Sequence, residues 1–224
     1  MVPDSDNLKP ATERLRITEI FQSLQGEART VGLPTTFIRL TGCPLRCVYC
    51  DTTYAFSGGS WYTLEAIMEQ VNGLNAQHVT VTGGEPLAQQ ACLPLLVKLC
   101  DAGYQVSLET SGAMDIAAVD KRVSRVMDLK TPSSGEQARN LMKNLDQLTP
   151  HDQVKFVISD RNDFDWSVQQ IERYGLQKQT EVLMSPVHGL LAPVQLADWI
   201  LESGLQVRFQ LQLHKLLWGD EPGR

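Results

Sequence analysis

Short apolar runs alternate with amphipathic stretches along the chain. Runs at 35–41, 78–82, 105–109, 125–129, 153–158, 180–184 and 206–211 have the length and composition of strands. Between them, Leu64, Ile67, Met68, Val71 and Leu74 recur at helical spacing, with Thr63 placed as an N-cap. Leu95, Leu96 and Leu99 mark a second helix, and Phe164, Val168 and Ile171 a third. Pro193 opens a fourth, with Leu196, Ala197, Ile200 and Leu201 expected on its apolar side. Such alternation implies an α/β fold of parallel strands joined by right-handed crossovers. Six or seven units fall short of a closed eight-stranded barrel, and a doubly wound open sheet fits the same string.

The polar and glycine-rich motifs fall where these strands end. A cysteine-rich loop follows the first, Thr82-Gly83-Gly84-Glu85-Pro86 ends the second, and Glu109-Thr110-Ser111-Gly112 the third. Asp128-Leu129-Lys130-Thr131-Pro132 ends the fourth, and Ser185-Pro186-Val187-His188-Gly189 follows the sixth. The carboxyl ends of parallel strands are where barrel and open α/β enzymes assemble their sites, so these motifs point to one shared site. In the second motif, paired glycines allow close approach of a ligand to the backbone, and Glu85 offers an acceptor for an amine.

Cys43, Cys47 and Cys50 are spaced C-x3-C-x2-C. Thiolates hold iron–sulfur clusters, and three ligands for a four-iron cube leave one iron open to a substrate or cosubstrate. Zinc sites more often combine two C-x2-C-like pairs. Here Cys92 and Cys100 stand on a helix with no partners in register and read as small hydrophobes. The five cysteines and the absence of an export-type start argue against a disulfide framework. Spacing alone leaves both cluster and zinc open.

The chain has 224 residues, 42% of them hydrophobic, enough for one domain with a full core. Its net charge of −6 argues against a nucleic-acid surface. No apolar run approaches the roughly 20 residues that span a bilayer. Cytoplasmic residence is expected, which also suits reduced thiolates. Residues 1–14 are polar and are expected to form a mobile N-terminal tail, leaving 15–224 as a single domain.

With its cysteine loop after one strand and Gly83-Gly84-Glu85-Pro86 after the next, the chain resembles the radical S-adenosylmethionine (SAM) superfamily. It is more closely similar to the 7-carboxy-7-deazaguanine synthase family of queuosine and 7-deazapurine biosynthesis. That resemblance runs from Ile20-Phe21-Gln22-Ser23-Leu24-Gln25-Gly26-Glu27 through Phe37-Ile38-Arg39-Leu40-Thr41-Gly42-Cys43 and Cys50-Asp51-Thr52 to Gln212-Leu213-His214-Lys215. It implies an incomplete parallel β/α barrel of about six core strands with a reduced set of helices. It also implies a lyase using a 4Fe-4S cluster, SAM and Mg2+. The implied reaction converts 6-carboxy-5,6,7,8-tetrahydropterin to 7-carboxy-7-deazaguanine and ammonia by a radical ring contraction.

By the same resemblance, Cys43, Cys47 and Cys50 are the cluster ligands. Tyr49, Cys50, Asp51, Gly84, Asp128, Leu129, Lys130, Ser185, Pro186, Val187 and His188 contact SAM. Leu24, Gln25, Gly26, Arg39 and Thr82 contact the pterin, with Arg39 suited to a carboxylate. Thr52 is the magnesium ligand. A homodimer is implied, served by an electron donor such as flavodoxin or ferredoxin, with neither nucleic acid nor membrane as a partner.

The chain departs from the family pattern at Ala28, where glycine is common. It also has Asp128-Leu129 in place of Ser-Pro, Ser185 in place of Gln, and an extended tail from Trp218 to Arg224. His78, His151, Trp61 and Trp166 read as packing or surface residues, and Glu27 as a turn residue or an orienting group for Gln25 or Arg39. His188 and His214 fall near the site without an assigned side-chain role. The alternatives are an activase that installs a glycyl radical on a partner protein, and a metal-binding module without catalysis.

Overall fold

In a computed structural model, the described residues are 13–219 together with Glu221 and Gly223. Residues 1–12 of the expected tail lie outside them, and Arg14, at its end, already begins a strand. The strands are β1 (Arg14–Leu24), β2 (Pro34–Leu40), β3 (Ser60–Thr63), β4 (His78–Gly83), β5 (Gln105–Thr110), β6 (Ser124–Asp128), β7 (Gln153–Ile158), β8 (Glu181–Pro186) and β9 (Arg208–Phe209). The helices are α1 (Leu64–Asn72), α2 (Cys92–Asp101), α3 (Arg161–Tyr174), α4 (Pro193–Ser203) and α5 (Leu213–Trp218).

One sheet holds all nine strands, in the order β3-β1-β2-β4-β5-β6-β7-β8-β9. From β2 to β9 every neighbour is parallel, whereas β1 pairs antiparallel with both β2 and β3. The sheet ends at β3 and β9 without closing, as the incomplete barrel requires. The β5–β6 connection carries no helix, and β6–β7 only short 3-10 turns, so the helical layer is reduced.

Apolar periodicity located the parallel strands to within about two residues, except the last. The expected strand at 206–211 shortens to Arg208–Phe209, because the chain beyond it turns toward the loop after β1, where Leu213 N–H donates to Gly26 O at 3.0 Å. β1 and β3 were not expected. In β1 few side chains besides Leu15 and Ile17 are buried, so its apolar signal is weak, and β3 is half exposed.

Four of the five helices form where their spacing predicts, although α1 ends before Leu74, and α5 was not expected. Thr63 Oγ1 accepts from Ala66 N–H at 3.2 Å and caps α1, which buries Leu64, Ile67 and Val71. α2 buries Cys92, Leu95, Leu96 and Leu99, and Cys100 packs against the same core. In α4, Leu196 and Ile200 are buried but Leu201 is 79% exposed. Five positions after Leu196 and one after Ile200, it is rotated about 140° and about 100° from those two buried residues. Trp166 packs edge-on against Phe156, but Trp61 lies exposed under Arg14 instead of packing in the core. No helix of the described residues is long and apolar enough to cross a membrane.

A buried ion pair ties the starts of β6 and β7. Asp152, 1% exposed, accepts from Arg125 N, Nε and NH2 and from Thr149 N and Oγ1. Burial alone would raise this carboxyl, but the bonds from Arg125 and Thr149 outweigh it and hold its pKa below the ordinary aspartate value. A depressed folded-state pKa stabilises the protein above the unfolded value and is lost as pH falls through the folded one. Asp152→Asn is therefore expected to destabilise by about 3–5 kcal/mol at neutral pH, as for one broken buried pair. Urea melts from pH 7 to pH 2 should show this gap narrowing only below about pH 4.

Candidate active site

The cysteine loop follows β2 and is clamped to the end of β4. Gly84 N–H donates to Leu40 O at 3.1 Å and Glu85 N–H to Gly42 O at 2.8 Å. Gly83 has φ +136°, and a Cβ there would strike the Leu40 backbone, while one on Gly84 would strike Gly42 O and Cys43 Cβ. These glycines admit the cysteine loop itself. Glu85 is fully buried and receives Leu87 N–H, the Thr110 hydroxyl, and the Ser111 N–H and hydroxyl. The expectation of a free acceptor for a ligand amine is thus corrected: Glu85 joins the β4 and β5 ends.

Cys43, Cys47 and Cys50 are half-buried and line one cleft of about 410 Å³. Burial pushes the Cys43 thiol up, opposed by the Leu45 N–H, and pushes Cys47 up, opposed by Lys130. No three His, Cys, Asp or Glu side chains among the described residues converge on a single-ion site. Zinc draws all its ligands to about 2.0–2.3 Å. A cluster makes a different demand, since each iron takes its own sulfur.

Strand register carries a polar row across the sheet below this rim. Arg39 on β2 is the partner of Thr82 on β4, whose hydroxyl donates to Glu109 Oε2 on β5 at 3.0 Å. Gln25 Nε2 donates to Thr80 Oγ1 at 3.0 Å and to Glu109 Oε1 at 3.3 Å. Arg39 Nε donates to Glu19 Oε1 at 2.6 Å, and Glu19 also accepts from Tyr54 OH. Arg39 is therefore an ion-paired side chain that also lines the cleft, beside the stacked rings of Phe21 and Phe37.

Gln25, Gly26 and Glu27 enter from the opposite end. Arg29, just beyond them, bonds to Gln153 and Glu181, the first residues of β7 and β8, and Ala28 N–H donates to Gln210 Oε1. The loop after β1 thus plugs the floor of the partial barrel instead of joining the strand-end motifs at the rim. Ala28 is buried with φ +63°, the left-handed region, which accounts for glycine being common there. The C-terminal segment covers this plug. Leu213 N–H donates to Gly26 O, Gln212 Nε2 to Glu27 Oε1 at 2.8 Å, and the His214 ring lies against Gly26. Burial lowers the His214 pKa, against the charges of Glu27 and Asp51.

Of the other expected residues, Leu24, Tyr49, Asp51, Thr52, Gly84, Asp128, Lys130, Val187 and His188 line the same cleft. Tyr49 OH contacts Thr131 Oγ1 at 3.1 Å, and Thr52 Oγ1 stands 3.8 Å from Cys50 Sγ. Leu129 is a core residue whose N–H donates to Lys155 O at 2.9 Å, so neither its side chain nor its N–H is free for a ligand, and Pro186 borders an adjoining cavity instead. Ser185 is buried and does not line the cleft; its Oγ, like Oδ1 of the cleft-lining Asp128, lacks a hydrogen-bond partner. Unpartnered buried oxygens at two strand ends suit a polar ligand between them.

Glu109 and Lys155, to which the sequence motifs assign no role, also line the cleft, as does Glu27, expected as a turn or orienting residue. Burial and the nearby Glu27 charge raise the Glu109 pKa. Burial would also raise Glu27, but Lys155 and Gln212 hold it below its ordinary value. A charged residue at an inward position of a central strand, as at Glu109 and Lys155, was the available signal.

A family model described as the Radical SAM superfamily matches residues 37–175. The 7-carboxy-7-deazaguanine synthase of Koribacter versatilis (strain Ellin345) is 42% identical, over 92% of this chain and 98% of that protein. A protein of the same name from Chlorobaculum tepidum is 41% identical, over 92% and 96%. The crystal structure of QueE from Escherichia coli superposes with a TM-score of 0.75 at 24% identity, covering 90% of this chain and 95% of that one. That structural likeness speaks for the fold.

The clamp generates a prediction about metal loading. Gly84→Ala forces the cysteine loop off the β4 end. Iron per chain after anaerobic reconstitution should fall below half that of the parent, while far-UV circular dichroism stays unchanged. Full iron loading by the variant would show that the clamp does not place the cysteines.

Proposed function

The chain belongs to the family of 7-carboxy-7-deazaguanine synthases within the radical SAM superfamily, and we propose that its cleft converts 6-carboxy-5,6,7,8-tetrahydropterin to 7-carboxy-7-deazaguanine and ammonia. It is a radical SAM lyase. The observation that carries the substrate reading is the meeting, in one cleft, of the three cysteines with Arg39, Gln25, Thr82 and Glu109.

When bound, the 4Fe-4S cluster and SAM supply the one-electron chemistry that starts the ring contraction. Cys43, Cys47 and Cys50 would hold the cluster. Tyr49, Asp51, Gly84, Asp128, Lys130, Val187 and His188, with Leu129 through its main-chain carbonyl, would surround SAM. The unpartnered oxygens of Asp128 and Ser185 support polar contacts at the β6 and β8 ends, with Pro186 shaping the latter. Arg39 presents a cation to the substrate carboxylate, held in place by Glu19 through Nε. Gln25 and Glu109 offer an amide and a carboxyl to the amine-bearing edge of a pterin, and Leu24, Gly26 and Thr82 complete that wall. Thr52 would give magnesium one hydroxyl, the substrate and water supplying the rest.

The surface of the cysteine loop supports reduction by a small carrier such as flavodoxin or ferredoxin, because Pro44, Arg46 and Val48 are exposed there. Family membership supports a homodimer. Thiolates that must stay reduced support a cytoplasmic location. The net charge of −6 supports a role upstream of any contact with tRNA, in queuosine or other 7-deazapurine biosynthesis.

Reconstituted protein, given the tetrahydropterin, SAM, magnesium and a strong reductant without oxygen, should form 7-carboxy-7-deazaguanine by mass spectrometry with little net loss of SAM. Slow formation of 5′-deoxyadenosine without that product would reject the substrate. In the same assay, Thr52→Ala should raise the magnesium concentration for half-maximal rate about tenfold, which corresponds to one lost ligand of about 1.4 kcal/mol. An unchanged magnesium dependence would remove Thr52 from the metal site.

A further inference from the structure

Lys155 lies in the middle of β7 and reaches two carboxylates that belong to different parts of the site. Its Nζ is 2.5 Å from Glu27 Oε2 and 3.6 Å from Asp128 Oδ2. Glu27 stands in the plug that forms the floor, and Asp128 at the rim end of β6, where it is the register partner of Lys155. Each carboxylate is tied onward. Glu27 Oε1 accepts from Gln212 on the segment that covers the plug, and Asp128 Oδ2 also pairs with Lys130 at 3.0 Å. Asp128 Oδ1 has no partner. A ligand at the rim that engages Asp128 therefore acts on the same cation that fixes the floor.

We propose that Lys155 is the positioning residue that couples the two ligand subsites, so that filling one tightens the other. The inference rests on the reading above, in which SAM occupies the rim and a carboxypterin the floor. The surrounding charges support a cation that stays protonated: burial opposes the charge on Lys155, and Glu27, Asp128 and Glu109 outweigh it. A buried pair with a structural role alone would lower stability when broken. It would leave unchanged the factor by which one ligand alters the affinity of the other.

That factor is measurable without turnover. Cluster-loaded protein, kept oxidised and given no reductant, is titrated by calorimetry with SAM in the absence and presence of 6-carboxypterin, and then in the reverse order. In the parent protein each ligand should tighten the other by the same factor, on the order of 5- to 10-fold, since coupling is reciprocal. Lys155→Met should bring the factor close to one while each ligand alone still binds, and Lys155→Arg should restore most of it. Should Lys155→Met fail to load its cluster, Glu27→Gln cuts the same bridge from the other end and should also abolish the coupling. Undiminished coupling in the cluster-loaded variant, or independent binding of both ligands by the parent, overturns the bridge and leaves the proposed function standing. A parent protein with no affinity for the carboxypterin overturns both.

Discussion

The backbone of Gly83 and Gly84 lies so close to that of Leu40 and Gly42 that neither glycine can carry a side chain. Much of the rim depends on this contact. It fixes the cysteine loop relative to the sheet, and so fixes where three thiolates face the cleft. Glu85 extends the same clamp. Its carboxylate is occupied by Thr110 and Ser111, which locks the β5 end to the β2 and β4 ends. A rigid rim suits chemistry whose reactive species must be kept from wandering, since placement and exclusion of water are what a protein adds to a cofactor.

The floor is built differently. A loop plugs the partial barrel, held by side-chain amides of Gln153 and Gln210 and by the covering C-terminal segment. Ala28 in the left-handed region costs about 1–2 kcal/mol relative to an unstrained residue. That strain is tolerated because the hydrogen bonds on both sides of Ala28 determine the path of the chain. The incomplete sheet makes such a plug necessary, since an open barrel has no ring of side chains to fill its own interior.

Between rim and floor the cleft carries opposed charges. Lys130 and Lys155 alternate with Asp128 and Glu27, and Arg39 is matched by Glu19. Recessed charges persist because each has a partner, as low-dielectric surroundings demand. The arrangement suits a ligand that itself carries both signs, such as an amino acid moiety beside a carboxylated ring.

The parallel α/β class, the cysteine loop and the order of strand-end motifs were legible in the sequence, because spacing and periodicity are local properties of a chain. Thr63 as a cap and the buried faces of α1 and α2 belong to the same category. The edge strands β1 and β3 were not legible, because strands with few fully buried side chains carry little apolar signal. Leu201 was misplaced because a residue adjacent to Ile200 lies about 100° further round the helix, off the buried stripe. By itself, then, the sequence determined the type of fold and the chemistry of the site. Tertiary structure alone decided that the plug lies on the floor, that Glu85 serves the protein instead of a ligand, and that Lys155 faces two carboxylates. Those outcomes depend on which distant residues meet, and that is set by strand register and barrel curvature together.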